Sequence, residues 1–306
     1  MNQYVKLACV TLLASALAAC SGVGSSVPNL THPVGSNATV SHGFGDLSNV
    51  HVMRPFNGSM QPALTGALTY HGGPVLKHPI VYVVYWGFNA SGADPNGEQM
   101  YLTNFLTGLG GTPWSQTNHQ YYQIVNGLTQ HIANEIGQLQ GTWVDSTNPV
   151  PSSPSDAQIQ AEAGKLMAQV GFNKYASYVV ATPHGHNSPG FGSSFCAYHG
   201  ATNQSGHVIS YTNLPYMTDA GGNCGENFVN PGPSGVLDGV SIVEGHEYSE
   251  SETDPQLNAW WDGANGEEIG DLCAWRGLGN ITESTGTFAM QPLYSDKKGG
   301  CTLHTP

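Results

Sequence analysis

The sequence predicts a single α/β (α+β) domain, in which a mixed sheet with helices is followed by one helix that carries clustered acidic side chains. Three observations support this prediction. Short apolar runs rich in β-branched residues alternate with segments of helical periodicity, no internal repeat is evident, and residues 66–306 have the length of one domain. Residues 21–65, by contrast, are rich in Gly, Ser, Asn and Pro and predict a flexible tether.

Three apolar runs are predicted to be strands. Ile80–Trp86 is β-branched and aromatic and ends at Gly87, and residues 175–181 and 207–212 have the same character. Residues 121–139 are compatible with either a strand or a helix. The three apolar runs therefore supply the core of the predicted sheet.

Three segments have helical features. Residues 99–109 repeat apolar side chains at helical spacing, and residues 155–170 do the same after Ser155, a candidate N-cap. Residues 236–253 follow the last predicted strand, and Pro255 stands just beyond their end. We therefore expect the third helix to come directly after the sheet.

This third helix carries His246, Glu247 and Glu250. Residues four apart share one face of a helix, so His246 and Glu250 can hold the same divalent cation, with Glu247 beside them as a general base. The pattern is that of His-Glu-x-x-His zinc peptidases with Glu in place of the second His. Only 9% of residues are charged, yet acids cluster between positions 244 and 254, and such a cluster repels itself unless a cation or protons neutralise it. We predict one Zn²⁺ per chain; a solvated acidic helix face is the alternative.

A third metal ligand is expected, because two protein ligands do not make a tight zinc site. Glu268 lies 18 residues beyond Glu250 and is assigned as that ligand. Asp271 is assigned as the acceptor that orients the imidazole N–H of His246. The reverse assignment, with Asp271 as the ligand, stays open, and Glu267 is a further choice. A role of these acids in loop capping alone is the other alternative.

Further histidines are candidates for roles at the site. His184 and His186 directly follow the second predicted strand, where they can bind a metal or the oxyanion of a transition state. We assign His184 to the catalytic set as an oxyanion partner; an ordinary polar loop is the alternative. His199 is interpreted as structural, with a substrate contact as the alternative.

The N-terminus has the features of an export signal. Residues 1–20 contain Lys6, a short apolar run and Leu17-Ala-Ala-Cys20, which resembles the lipobox of bacterial lipoproteins and implies lipidation of Cys20. Ordinary signal cleavage is the alternative. We expect an outer-membrane lipoprotein of a bacterial cell envelope, or an extracellular protein, that touches a membrane only through its lipid anchor.

Cysteine content and charge narrow the class of protein further. Besides Cys9 and Cys20 there are four cysteines, which allow three disulfide pairings. We favour Cys196–Cys224 and Cys273–Cys301, because these pairings close two loops of similar length. The net charge of −13 argues against nucleic acid or an anionic membrane surface as a partner. Oligomeric state is left open by the sequence.

Several motifs resemble a known family. Tyr70-His-Gly-Gly-Pro-Val-Leu76 followed by Val81-Tyr-Val-Val-Tyr-Trp-Gly87 is similar to the opening of the phosphate-induced protein 1 family, the plant EXORDIUM proteins. The block from His246 through Thr253-Asp-Pro255 to Ile269-Gly-Asp-Leu-Cys273 resembles a later segment of that family. The resemblance spans residues 65 to 301 and implies an exported protein; plant members are growth-related proteins of the apoplast.

A helix that bears metal ligands directly after a sheet is also the arrangement of zincin-type zinc peptidases, in which an edge strand binds the substrate backbone. By this analogy residues 207–212 are the candidate edge strand. The predicted function is zinc-dependent hydrolysis of a peptide or protein substrate by a metal-activated water. The alternative is a non-enzymatic envelope or carbohydrate-associated protein, with Ca²⁺ in place of zinc.

Overall fold

The structure is a computed structural model that describes residues 47–58 and 66–305. The predicted signal, Cys20 and most of the predicted tether lie outside these residues. The helices are α1 (Glu98–Leu109), α2 (Asp156–Val170) and α3 (Asp238–Thr253). The strands are β1 (Val50–Met53), β2 (Leu68–Tyr70), β3 (Ile80–Trp86), β4 (Tyr122–Val125), β5 (Leu128–His131), β6 (Leu139–Asp145), β7 (Ala176–Ala181), β8 (Ala197–Gln204), β9 (His207–Leu214), β10 (Trp260–Asp262), β11 (Gly279–Glu283), β12 (Gly286–Met290), β13 (Leu293–Ser295) and β14 (Gly300–Thr302).

The main sheet has six strands in the order β1-β8-β9-β7-β3-β6. Strands β9, β7, β3 and β6 are parallel, whereas β8 is antiparallel to β9 and β1 is antiparallel to β8. This mixed sheet with its helices confirms the α/β (α+β) prediction. The prediction that residues 207–212 form a substrate-binding edge was wrong, because β9 lies between β8 and β7 inside the sheet.

Alternation along the central strands sends side chains into two cores. Val83 of β3 and Val179 of β7 pack in the core that α1 and α3 cover, while Val84 and Val180 pack in the core that α2 covers. Each central strand therefore packs against an apolar core on both of its faces. This is why the runs are continuously apolar and do not alternate with polar residues. The helix that carries the candidate ligands lies on the first of these faces.

The helices begin and end close to their predicted positions. Ser155 and Gln158 form a capping box at the start of α2, and the apolar stripe of that helix is buried against β3 and β7. Helix α3 begins at Asp238, two residues later than predicted, and ends at Thr253 before Pro255. All of its residues are buried, including Glu244 and the candidate ligands.

Within the ambiguous segment 121–139, residues 122–131 form a β-hairpin. Strands β4 and β5 are joined at Asn126 and Gly127, both with positive φ, as a tight two-residue hairpin turn requires. An Asn-Gly pair between two short runs is the local signal that identifies such a turn. The remaining strands form two-stranded ribbons beside the main sheet.

Two disulfide bonds confirm the favoured pairing, Cys196–Cys224 and Cys273–Cys301. The first fixes the start of β8, and the second ties the segment after β10 to β14. These disulfides are compatible with an extracellular location. Among the described helices, none combines the length and the apolar character that a membrane span needs.

Glu98, at the start of α1, makes the stability of the fold depend on pH. Its carboxylate accepts hydrogen bonds from the backbone N–H groups of Met217 and Thr218, at 3.0 and 2.9 Å. Burial nevertheless outweighs these bonds and raises its pKa to about 7, from an ordinary value of 4.5. The folded protein therefore holds a proton that the unfolded chain releases at lower pH, so stability falls as the pH rises between the two values.

We expect Glu98→Gln to flatten this dependence. From about pH 5 to about pH 8 the wild type should lose about 2 kcal/mol more stability than the variant, as measured by urea unfolding at both values. The variant is expected to be less stable at the lower pH, because a glutamine offers one acceptor oxygen to two N–H groups. Parallel pH profiles for the two proteins would contradict the prediction.

Candidate functional site

The predicted pair on α3 meets as expected from helical spacing. Nε2 of His246 lies 3.1 Å from Oε1 of Glu250, and neither side chain has exposed surface. The same carboxylate oxygen accepts the backbone N–H groups of Gly270 and Asp271, both at 3.2 Å. Glu250 therefore joins the helix to the loop that follows β10.

That loop also carries Glu268 and Asp271, the two other predicted acids, to the cluster. Oδ1 of Asp271 lies 3.6 Å from Nε2 of His246, the ring nitrogen that also faces Glu250. Gln291 stands at the opposite nitrogen instead, with its Nε2 3.0 Å from Nδ1 of His246. The structure thus places Asp271 on the Glu250 side of the ring, and not at the N–H that it was expected to accept.

His199 of β8 completes the centre of the cluster. Its Nε2 lies 3.5 Å from Oε2 of Glu250 and 3.5 Å from Oε2 of Glu268, and its ring is fully buried. The interpretation of this histidine as structural did not anticipate this position. Its strand, Ala-Tyr-His-Gly-Ala-Thr-Asn-Gln, has little apolar character and gave no strand signal in the sequence.

A third imidazole comes from β1. His51 pairs with His199 across the antiparallel ladder, and their ring centroids are 5.8 Å apart. Its Nε2 contacts Oδ2 of Asp271, and its Nδ1 lies 3.5 Å from Oε1 of Glu268. Residues 50–53 fall in the segment predicted to be a flexible tether, so His51 was not among the predicted site residues.

The distances within the cluster suit a bound cation. Ligand bonds of about 2.0–2.2 Å in a tetrahedral zinc site put neighbouring ligand atoms about 3.3–3.6 Å apart. The contacts of His246 and His199 with their carboxylates span 3.1–3.6 Å. Within the described part of the chain, Nε2 of both rings and Oε2 of Glu250 are buried without a hydrogen-bond partner. Such atoms normally have one, so a cation is a reasonable occupant.

Two overlapping sets of three ligand atoms lie within 4.8 Å of one another. One set is His199, Glu250 and Glu268, and the other is His51, Glu250 and Asp271. Glu250 belongs to both sets, and His246, which belongs to neither, faces Oε1 of Glu250 with its Nε2. The carboxylate of Glu250 is therefore the centre of the arrangement.

Burial and neighbouring charges lower the pKa of one carboxyl group in the cluster and raise the pKa of two others. Burial alone would raise the pKa of Glu250, but the imidazoles of His246 and His51 outweigh it and hold the pKa well below its usual range. Burial, reinforced by neighbouring carboxylates, raises the pKa of Glu247 and of Glu268 well above the usual range. The described cluster thus retains protons that a divalent cation would displace.

Glu247 is positioned beside the ligand set rather than within it. Its Oε1 accepts the backbone N–H of Met53 at 3.3 Å. Its Oε2 is buried and has no hydrogen-bond partner among the described residues. A buried carboxyl group with one unused oxygen could exchange a proton with a nearby water once a cation beside it has lowered its raised pKa.

His184 is not brought to this cluster. It follows the end of β7, its side chain is 53% exposed, and its Nδ1 pairs with Oδ1 of Asp219 at 2.5 Å. His186 in the same loop pairs with the carbonyl of Pro151. Both histidines line a cavity of about 430 Å³ outside the carboxyl ends of β3, β6 and β7. The structure thus places His184 away from the side chains that would hold the metal.

The fold and the cluster define an α/β protein with a buried histidine–carboxylate centre. Neither a family model nor a solved structure matches the chain. Over 238 residues it is 26% identical to Protein EXORDIUM-like 5 of Arabidopsis thaliana. The aligned region covers 67% of this chain and 63% of that protein. The chain therefore spans less than two thirds of the length of this relative. The chain is therefore similar to an EXORDIUM-like protein over two thirds of its own length.

Proposed function

We propose that this chain is an exported zinc-dependent hydrolase that cleaves peptide bonds. The observation that carries the proposal is the buried cluster around the carboxylate of Glu250. Nε2 of His246 and Nε2 of His199 lie 3.1 and 3.5 Å from its two oxygens, and Glu268 lies 3.5 Å from His199, distances close to those between ligands of a tetrahedral ion. Of the predicted ligands we keep His246, Glu250 and Glu268, and we add His199. We place Asp271 beside the cation and do not count it among the ligands.

The mixed ligand set favours zinc over calcium. Calcium takes six to eight oxygen ligands, whereas zinc is held by imidazole nitrogen together with carboxylate oxygen. His199 and His246 each present a ring nitrogen to the carboxylates in the described cluster. We therefore propose zinc as the resident ion, with calcium as the outcome that supports a non-enzymatic envelope protein.

Binding through Nε2 of His246 sets a condition on Gln291. The amide nitrogen of Gln291 lies within hydrogen-bond distance of both Nδ1 of His246 and the carbonyl of Gly270, at 3.0 and 2.9 Å. An imidazole that binds a metal at one nitrogen carries its proton on the other. The amide must therefore rotate, so that its oxygen accepts the proton at Nδ1 when zinc is bound.

The chemistry would divide between the ion and Glu247. Bound zinc would make a water acidic enough to lose a proton at neutral pH and would polarise the scissile carbonyl. Once the cation has displaced the proton that Glu247 retains, its Oε2 would accept a proton from that water and would return it to the leaving amine. Its buried position keeps the proton from exchanging with bulk solvent during the step.

A metal and activity assay on the purified full-length chain tests the proposal. We expect one equivalent of zinc, and hydrolysis of an unstructured protein such as casein that a chelator removes and added zinc restores. Calcium without hydrolysis would support the non-enzymatic alternative. A chain that binds neither metal would refute the proposed site.

Gly270→Ala tests the fit of the imidazole. A Cβ at position 270 would lie 2.5 Å from Nδ1 of His246, so the ring would have to tilt away from its ligand position. We expect the affinity for zinc to fall by about tenfold or more, as is typical when the support of a ligand histidine is lost. Competition with a chromophoric chelator measures this change.

Gly263→Ala is the matched control for this substitution. The nearest heavy atom to a Cβ there is Oγ1 of Thr69 at 3.9 Å, an ordinary contact. We expect its affinity for zinc to equal that of the wild type. Equal affinities in all three proteins would show that His246 does not bind the ion.

A further inference from the structure

We propose that β1 is an intramolecular substrate mimic, which occupies the peptide-binding edge of β8 and closes the site until the strand is displaced. This inference rests on the proposed function and adds both the regulation of the site and its substrate class. The substrate would be an extended peptide that pairs antiparallel with β8 and presents a basic side chain to Glu267.

The sheet topology gives β8 the role of a binding edge. β8 is the strand next to the cluster, since it carries His199, and its outer neighbour is β1. β1 has four residues, and Pro55 just beyond it has no N–H with which to extend the ladder. A short edge strand of this kind opens at a lower free energy than the strands inside the sheet. Removal of β1 would leave an edge that can accept another extended chain.

The backbone of β1 contacts the proposed base directly. The N–H of Met53 donates to Oε1 of Glu247 at 3.3 Å, while its carbonyl accepts the N–H of Cys196 at 2.8 Å. A peptide backbone therefore already lies between the edge of β8 and Glu247. This is the position that the backbone of a substrate must take to be cleaved.

The side chain of His51 occupies the approach to the cation. Its ring reaches Asp271 through Nε2 and lies 3.5 Å from Glu268 through Nδ1. In this arrangement the proposed base and the four proposed ligands have no exposed surface: Glu247, Glu250, Glu268, His199 and His246. Neither the water nor a scissile carbonyl can then reach the ligand set, so the described arrangement is a closed state.

Arg54 supplies the contact that points to substrate chemistry. Its Nη1 lies 3.0 and 3.3 Å from the two carboxylate oxygens of Glu267, and its carbonyl accepts the indole N–H of Trp275 at 2.7 Å. The residue stands one position beyond Met53, whose N–H meets Glu247. A substrate that binds in the same register would place an Arg or Lys against Glu267.

Release of the strand can be tested in the full chain with Arg54→Glu and with the charge swap Arg54→Glu/Glu267→Arg. The Arg54 side chain is 42% exposed, so its reversal should repel Glu267 without disturbing the core. We expect amide exchange in residues 197–204, followed by mass spectrometry, to become at least about tenfold faster in Arg54→Glu. The swapped pair should restore the slow exchange. If Arg54→Glu exchanges like the wild type, the contact with Glu267 does not hold β1 in place and the inference is overturned.

Peptide binding and hydrolysis complete the test. A labelled synthetic peptide of residues 49–57 should bind the released variant at least about tenfold more tightly than the wild type, and its counterpart with Glu in place of Arg54 should bind more weakly. With zinc added, casein hydrolysis should rise in the released variant and fall back in the charge swap. Peptide binding without hydrolysis in any protein would leave the strand inference standing and refute the hydrolase. Faster exchange in β8 with no gain in peptide binding would overturn the inference. Measurable hydrolysis by the wild type that the released variant does not exceed would overturn it as well.

Discussion

Glu247→Gln should abolish peptide hydrolysis while leaving zinc bound. The substitution keeps the size of the side chain and its place on α3, but the amide cannot accept a proton from water. General-base catalysis of this kind is typically worth a factor of about 10²–10⁴, so we expect kcat/KM to fall by at least about a hundredfold. The comparison is made in the Arg54→Glu background as well as in the wild type, and zinc content is measured on the same samples.

Glu244→Gln is the matched control on the same helix. Glu244 is also fully buried on α3, and burial alone raises its pKa well above the usual range, so a neutral amide replaces a neutral acid. We expect hydrolysis by this variant to stay close to that of the wild type. If Glu247→Gln retains full activity, or loses its zinc together with its activity, Glu247 is not the base.

Zinc should strongly stabilise the fold. The buried carboxyl groups around Glu250 are neutralised in part by imidazoles and in part by retained protons, and a bound cation would replace both. A ligand present at a thousandfold excess over its Kd stabilises the native state by about 4 kcal/mol. For a domain of this size that corresponds to a rise in Tm of about 10 °C, measured by calorimetry with zinc and with chelator.

Two substitutions, His199→Ala and His186→Ala, test whether the zinc-dependent rise in Tm comes from the cluster or from zinc bound elsewhere. His199 lies in the cluster, whereas His186 lies in the loop after β7 and bonds to the carbonyl of Pro151. We expect the zinc-dependent rise in Tm to shrink in His199→Ala and to be unchanged in His186→Ala. A rise of equal size in both variants would place the ion elsewhere.

The local parts of the site were predictable from the sequence. His246 and Glu250 share a face because helical spacing demands it, and a helix over residues 236–253 was indicated by its position before Pro255. The disulfide pairing followed from loop lengths. These predictions depend on residues close together in the chain or on a covalent constraint.

The non-local parts were not predictable in the same way. His199 lies on a strand with little apolar character, because several of its side chains contact polar groups, as Thr202 does at Gln160 of α2 and His199 does in the cluster. His51 comes from a segment whose Gly/Ser-rich surroundings indicated a tether, and its strand exists through pairing with β8. The assignment of β9 as an edge failed because periodicity reports that a strand is buried and not which strands flank it.

His184 illustrates the same limit. Its position directly after a buried strand is a common place for functional side chains, and the structure does put it at the carboxyl end of β7 beside a cavity. The proposed metal ligands, however, lie on the face of the sheet that α3 covers. Two histidine-bearing regions of one sheet cannot be told apart without the strand order.

Anomalous X-ray diffraction at the zinc absorption edge, from crystals of the protein grown with zinc, tests the central claim most directly. We predict one strong peak enclosed by Nε2 of His199, Nε2 of His246 and the carboxylate of Glu250. A peak at another position, or none between these three side chains in protein that contains zinc, would contradict the account.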